Sequence, residues 1–415
     1  MAFRGVTEFL GNRNVTAVMV AQSLSMFVVW LWWPFKSLYI LELGASKELL
    51  GLMLTVETFS GLFFQFPGGV LADRLGRKRV ILAASLLSVM YPLIYLLASN
   101  WVHLVPALLL SSIGALSRPA VNALVAESLP DDRRGAGFAA ISFVRRVPQI
   151  FTGILGGYLM DFFGVTSGVK LVLMGVIGAS LFSSLLYWGF LVETLEPSPI
   201  KRRTGGLGQL RELGSMPANV WCLTAVAGLS SFATRMMFGF TVIYAVEVIG
   251  LTKTEYGSIS TVVSLISMFL TLPGGVLSDK IGKKTTVAIS RVGASLSKIG
   301  VPLSSSFLHL AFFRVAGSFG SGLGGTFMRV RGGPVWQALV ADATPAMERA
   351  RMMGIMGTLI SIFSTPASWA GGYIYDNVSP SLTFMTSFLL DTLGTAIFII
   401  FLKLPRRSVR AASAS

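Results

Sequence analysis

What most restricts the folding of this chain is a succession of long apolar stretches, each close to the length that crosses a bilayer. About 20 consecutive apolar residues span the hydrocarbon core as a helix. Such stretches fall at about 15–41, 46–71, 80–99, 103–127, 137–161 and 166–192. Six more follow at about 219–248, 255–277, 285–305, 308–341, 352–375 and 381–402. Only 13% of the residues are charged, against 53% hydrophobic, whereas soluble domains carry roughly 25% charged residues. Such a chain cannot cover its surface with polar groups. The expectation is an all-α membrane protein of twelve transmembrane helices, with the lipid bilayer as its main partner.

Loop charge gives the orientation. With both termini placed inside, Lys and Arg number 21 on the inner side, and only Lys47, Lys170 and Lys253 lie outside. Basic residues accumulate in cytoplasmic loops, so both termini are expected in the cytoplasm and the net charge of +15 reads as topology, with no nucleic acid partner. The opening MAFRGVTEFLGNRN has no cleavable signal pattern, and the plasma (inner) membrane is the expected location. One cysteine, Cys222, and two histidines, His103 and His309, leave no internal disulfide, metal cluster or cofactor to expect.

The chain also repeats itself. FPGGVLADRLGRKR (66–79) returns as LPGGVLSDKIGKKT (272–285), an offset of 206 that also aligns Gly44, Lys47 and Gly51 with Gly250, Lys253 and Gly257. Further on the offset is 215: ALVAESLP (123–130) aligns with ALVADATP (338–345), and GGYLMD (156–161) with GGYIYD (371–376). Two parallel six-helix repeats, residues 1–192 and 219–415, are therefore expected either side of a basic linker, 193–218.

On these residues the chain resembles the major facilitator superfamily. The family's loop between helices two and three carries Gly, an acid, a base, Gly and a basic run, matched here by Gly69, Asp73, Arg74, Gly76, Arg77, Lys78 and Arg79. A degenerate second copy is Gly275, Asp279, Lys280, Gly282, Lys283 and Lys284, with Ala72 and Ser278 where the family usually has Gly. The resemblance covers essentially the whole chain. It implies a fold of two pseudo-symmetric bundles, a monomeric secondary transporter rather than an enzyme, and a cytoplasmic latch through Asp73, which can accept hydrogen bonds from a neighbouring helix N-terminus and pair with basic residues. The loop after helix four (Glu127, Arg134) and its copy (Asp342, Arg349) also resemble a family pattern, in which carboxylate and arginine bridge across the same face.

Ten Lys and Arg lie within the spans. A charge at the bilayer centre costs at least about 2.5–3.5 kcal/mol, so such residues usually face a water-filled cavity and mark function. Arg118 lies nine residues before Glu127, about 13–14 Å along a helix rising ~1.5 Å per residue. Family architecture lines the central cavity with helices one, four, seven and ten, flanked by two, five, eight and eleven. That makes Arg118, Arg146, Arg235 and Arg331 the best substrate contacts. On helix one, Trp30 and Lys36 sit among Trp32, Trp33, Phe35 and Tyr39, which suit either an interfacial aromatic belt or a cavity wall. Glu57 is the carboxylate well inside the N-terminal half; it can carry a coupling proton or sit in a static pair with an arginine. On helix nine, Arg291 and Lys298 read as snorkelling cations, with Asp391 of helix twelve a partner for one of them.

Guanidinium groups near the midplane suit carboxylate, phosphate or sulfate. The leading reading is a carrier of small organic or inorganic anions, possible proton coupling included. A drug–proton antiporter and an amphiphile or lipid flippase are the alternatives. Against the antiporter stands Ile154 where that group has proline after Gly153. No nucleophile–base pair, phosphate-binding loop or ATP-binding cassette is legible, so the expected energy source is an ion or substrate gradient.

Overall fold

The described parts of the expected spans are largely helical; residues 324–332 of the tenth lie outside the described residues. We describe a computed structural model covering residues 11–130, 134–194, 216–323, 333–345 and 348–402. The helices are α1 (Arg13–Glu42), α2 (Lys47–Leu75), α3 (Arg77–Leu97), α4 (Trp101–Glu127), α5 (134–163), α6 (Val165–Phe190), α7 (218–248), α8 (Lys253–Ile281), α9 (Lys283–Leu303), α10 (Phe307–Leu323 and Pro334–Ala343), α11 (349–377) and α12 (Pro380–Phe401). Six of them (α1, α3, α4, α6, α12 and the Ala218–Phe238 part of α7) are long and apolar enough to cross a membrane on that measure alone. A seventh joins them if α8, bent by 51°, counts as one span. No strand occurs among the described residues.

Proline and glycine divide several helices. Proline has no backbone N–H and clashes with the preceding turn, so it interrupts the helical ladder. Pro34 sits in the 3-10 turn Trp33–Phe35 that breaks α1, and Pro148 closes the first part of α5 just before the break at 150–151. The signature glycines Gly76 and Gly282 take φ of 97° and 89° between α2 and α3 and between α8 and α9. A side chain is strained in that region, which explains glycine at both copies of the loop.

Helices α1–α6 and α7–α12 form two bundles. They meet along a seam near the face opposite the one where α1 begins and α12 ends; we refer to these as the distal and terminal faces. The seam is built from the internal repeat. Ser46 and Thr252, 206 residues apart, are the N-caps of α2 and α8, accepting from Leu49 N and Glu255 N at 3.1 Å each. The N–H groups ahead of those are completed by the other bundle. Asp161 of α5 accepts from Lys253 N (3.1 Å) and Thr254 N (2.7 Å) of α8. Asp376 of α11 accepts from Glu48 N of α2 at 3.1 Å.

Deeper contacts keep the same symmetry. Thr261 accepts from Ile154 N at 3.2 Å, and its repeat mate Thr55 accepts from Trp369 N at 3.0 Å. Between these levels the glycines let backbones touch. A β-carbon on Gly157 would strike the Lys253 carbonyl, and one on Gly372 the Lys47 carbonyl. An ion pair, Lys47–Glu247 at 2.8 Å, crosses as well. These polar contacts hold the two bundles together at the distal face.

A carboxylate at a helix N-terminus contributes about 1 kcal/mol. Replacing both, Asp161→Asn with Asp376→Asn, is therefore expected to raise the distally open fraction roughly thirtyfold for a combined ~2 kcal/mol. Electron–electron distance measurements between spin labels at residues 45 and 251 report it; an unchanged distance distribution would mean the seam is held by its glycine packing alone.

Candidate functional site

Immediately beneath the seam, three helices bring charge together. The break at Pro34 restarts α1 at Lys36, whose side chain is turned inward and only 4% exposed. Its Nζ meets Glu57 Oε2 of α2 at 2.6 Å. The ammonium also lies 4.8 Å from the Trp33 ring centroid and 5.7 Å from that of Tyr95, favourable cation–π placements. Tyr95 is buried on α3, its carbonyl accepting from the Tyr39 hydroxyl at 2.7 Å, so the aromatic wall is rigid.

The other bundle contributes Arg235. Its Nη1 donates to Thr58 Oγ1 of α2, the residue that follows Glu57, at 3.0 Å. Gly51, Thr55 and Thr58 mark successive turns of α2 that touch the C-terminal bundle, and Glu57 sits beside the last. The cluster comprises two cations and one carboxylate, a net charge of +1 where both bundles meet.

Other expected arginines lie toward the terminal face. Arg118 and Asn122 are exposed one turn apart on α4, while Ala115, Ala120, Val121, Leu124 and Val125 are buried. Arg146 is exposed on the first part of α5, while Gly153 and Gly157 beyond the break at 150–151 face α8. Its neighbour Arg145 instead reaches Gln22 of α1 at 3.3 Å. Arg331 lies outside the described residues.

Several expectations change. The partner of Glu57 is Lys36, not an arginine. Trp33, rather than the half-buried Trp30, stacks against the lysine, because the turn at Pro34 swings Trp33 and Lys36 together. Trp32, Phe35 and Tyr39 are core residues at 0–1% exposure, so they form no interfacial belt. Arg291 and Lys298 do not snorkel: at 3% and 6% exposure they hold Asp391, with Lys298 Nζ at 2.7 Å and Arg291 Nη2 at 3.4 Å. The pairing of Asp391 with helix nine is the expected one. Trp33 is one of the helix-one aromatics that suit a cavity wall, whereas Thr58 and Tyr95 were not legible, since nothing in a linear pattern places an uncharged residue from another helix beside a buried pair.

At the terminal face the signature loop is paired within its own bundle. Arg77 bonds Asp73 and also Glu127, the latter at 3.1 Å. The N-terminus of α3 is capped by Glu193, accepting from Arg77 N (2.9 Å) and Lys78 N (3.1 Å), a role the sequence reading gave in kind to Asp73. The second copy repeats the cross-link as Lys283–Asp342 at 2.7 Å. Arg349 donates to the Ala341 carbonyl at 2.9 Å, so Asp342 takes Lys283 in place of the expected arginine: the lysine follows Gly282 directly and starts α9 beside the end of α10. Arg74, Asp279 and Lys280 are exposed. Gly69 lies in α2 and Arg134 opens α5, but their side-chain surroundings lie outside the described residues.

Comparison with known proteins agrees with this architecture. A family profile described as Major Facilitator Superfamily matches residues 18–252 and again 224–415. An uncharacterised MFS-type transporter of Methanocaldococcus jannaschii is 23% identical over 410 residues, 95% of this chain and 93% of that protein. The multidrug resistance protein MdtG of Dickeya zeae is 29% identical over 295 residues, 68% of this chain and 70% of that one. Among solved structures, an inward-facing, unoccupied bacterial homologue of the human lysosomal transporter Spinster superposes with a TM-score of 0.73 at 15% identity, covering 93% of this chain and 95% of that one.

Removing one member of a buried ion pair strands the other and costs about 3–5 kcal/mol, whereas removing both is far milder. Lys36→Met is accordingly expected to lower the melting temperature clearly, and Lys36→Met combined with Glu57→Gln to restore most of the loss. Thermal denaturation of detergent-purified protein checks this; a double variant as unstable as the single one would show that the lysine acts through packing.

Proposed function

The chain is a membrane transporter belonging to the major facilitator superfamily, and we propose that it moves a small organic or inorganic anion by alternating access. The observation that carries this reading is the net positive charge of the Lys36–Glu57–Arg235 cluster at the meeting of the two bundles. A guanidinium can bind carboxylate or phosphate in a two-point fork. Arg235 spans the bundles through Thr58, so an anion drawing it away from Thr58 would change a contact that holds the closed seam. Arg118 and Arg146, on exposed helix faces nearer the terminal side, fit an approach path for the anion.

Glu57 is the proposed coupling carboxylate. When it takes up a proton it ceases to neutralise Lys36, and the cluster's charge rises by one, which favours the anion. Loss of the proton restores the 2.6 Å pair and expels the anion. Proton and anion therefore travel in the same direction. With the basic loops on the cytoplasmic side, the terminal face is cytoplasmic, the seam is the outer gate, and the protein works as a monomer in the plasma membrane. Asp73, Arg77 and Glu127, with Lys283 and Asp342, are proposed to exchange partners across the cytoplasmic face when the outer seam opens.

A second reading is multidrug efflux. It is favoured by the relative named a multidrug resistance protein and by the aromatic wall of Trp33 and Tyr95 beside the cluster, which would hold a planar apolar compound.

Reconstituted vesicles separate the two. Uptake of carboxylate or phosphate compounds driven by an inward proton gradient, reduced at least about tenfold in Arg235→Gln, is the expected result for a lost charged hydrogen bond worth ~1.5–3 kcal/mol. Transport of lipophilic cations alone would replace the anion reading with efflux. For the coupling role, Glu57→Gln is expected to exchange anion without responding to the pH gradient; full proton-driven accumulation in that variant would remove Glu57 from the mechanism.

A further inference from the structure

A cavity lies inside the C-terminal bundle, separate from the charge cluster between the bundles. Its volume is about 180 Å³, and α7, α8, α9, α10 and α12 line it. From α7 come Ser230, Thr234, Met237, Phe238 and Thr241, a spacing of three and four that defines one helix face. Arg235 leaves the same helix toward α2. The two sites thus stand back to back on α7.

The cavity's charge is unbalanced. Arg291, Lys298 and Arg314 line it, and Asp391 is the one carboxylate among the described lining residues. Asp391 is also fully engaged: it accepts from Ser230 Oγ at 2.6 Å, Lys298 Nζ at 2.7 Å, Ser295 Oγ at 3.2 Å and Arg291 Nη2 at 3.4 Å. Its single negative charge is committed to the two cations of α9. Arg314 stands on α10, half-buried and seven residues into its helix. Within a membrane bundle an uncompensated cation is costly and is ordinarily matched by a partner or by water in a cavity. The remaining lining is mixed: Ser290, Ser297 and Ser318 come from α9 and α10, and Met237, Phe238 and Val263 come with Thr234 and Thr241 from α7 and α8.

From this charge imbalance beside an apolar wall we infer that the cavity binds a monoanionic carboxylate with an apolar body. The carboxylate pairs with Arg314 near Lys298, and the body lies against Met237, Phe238 and Val263. Three cations against one carboxylate leave an excess positive charge that a bound carboxylate reduces, the volume admits a compact group, and the apolar residues make a fully hydrated ion such as phosphate a poorer fit. A free aromatic acid and the head of a membrane fatty acid share this chemistry. The site is independent of the transport cluster, since it uses no residue of the Lys36–Glu57–Arg235 group.

The test is a binding titration on full-length detergent-purified protein, using benzoate, laurate and the uncharged methyl benzoate as probes. Thermal shift and native mass spectrometry give the readouts. The expected result is that benzoate or laurate binds the wild type while methyl benzoate does not. Arg314→Gln should weaken that binding by about tenfold or more, the loss of one charge-assisted hydrogen bond, and Arg314→Lys should recover part of it. Arg235→Gln should retain the Arg314-dependent part of the binding, which separates failure here from failure of the transport reading. Binding of laurate with co-purified fatty acid in wild type but not Arg314→Gln would identify the membrane as the source; benzoate binding alone would identify a soluble acid. Ala294→Leu, which fills the cavity without touching a charge, should also abolish binding. Equal binding to wild type, Arg314→Gln and Ala294→Leu, or binding by neither acid, would overturn the proposal.

Discussion

The first-turn amides of α2 and α8 cannot be satisfied by their own helices, and their completion from the opposite bundle organises the closed face. An α-helix leaves four N–H groups without internal partners at its start. Ser46 and Thr252 each supply an acceptor locally. Asp376 and Asp161 supply others from the opposite bundle. Because the acceptors come from the other half of the molecule, separating the halves exposes those amides again. Glycines at 157 and 372 are needed for the carboxylates to reach, since any side chain there would hold the backbones apart.

That closed face fixes where the buried charge sits. Glu57 lies two residues past Thr55 on α2, so the Lys36–Glu57 pair and the Arg235–Thr58 bond lie directly under the contact between bundles. A charge placed there is coupled mechanically to the seam: altering what Arg235 binds alters a bond that spans the halves. The C-terminal bundle holds a second group of buried charge, Arg291, Lys298 and Asp391, whose members satisfy one another within the bundle. Buried ions of this kind are tolerated in an apolar bundle only where hydrogen bonds and counter-charges replace the lost hydration. The difference between the groups is location. One lies between the two bundles and the other within a single bundle.

The repeat explains why the two halves use matching devices on both faces. Residues offset by 206 or 215 recur as N-caps, as threonine acceptors, as close-packed glycines and as carboxylate caps on the distal face. On the terminal face the same offsets give Arg77–Glu127 and Lys283–Asp342. There each pair stays within its own bundle. The repeated devices thus engage across the halves at the distal face, while these two ion pairs stay within each half at the terminal face.

The helical spans, the two-bundle organisation and the signature loops were legible from residue order because lipid imposes them locally. A run of apolar residues long enough to cross must be helical, and a loop needing positive φ must have glycine. The repeat of GGYLMD as GGYIYD was legible too, although its role was not: Asp161 and Asp376 acquire meaning only when α8 and α2 of the opposite bundle arrive beside them. Which cation partners which carboxylate was equally a tertiary decision. Glu57 lies 21 residues from Lys36 and far from Arg235 in sequence, Arg291 and Lys298 reach Asp391 across about a hundred residues, and Glu193 caps a helix that begins 116 residues earlier. Burial in an apolar bundle makes each ion select the nearest counter-charge in space, and distance in space is set by packing between helices that sequence order alone does not define.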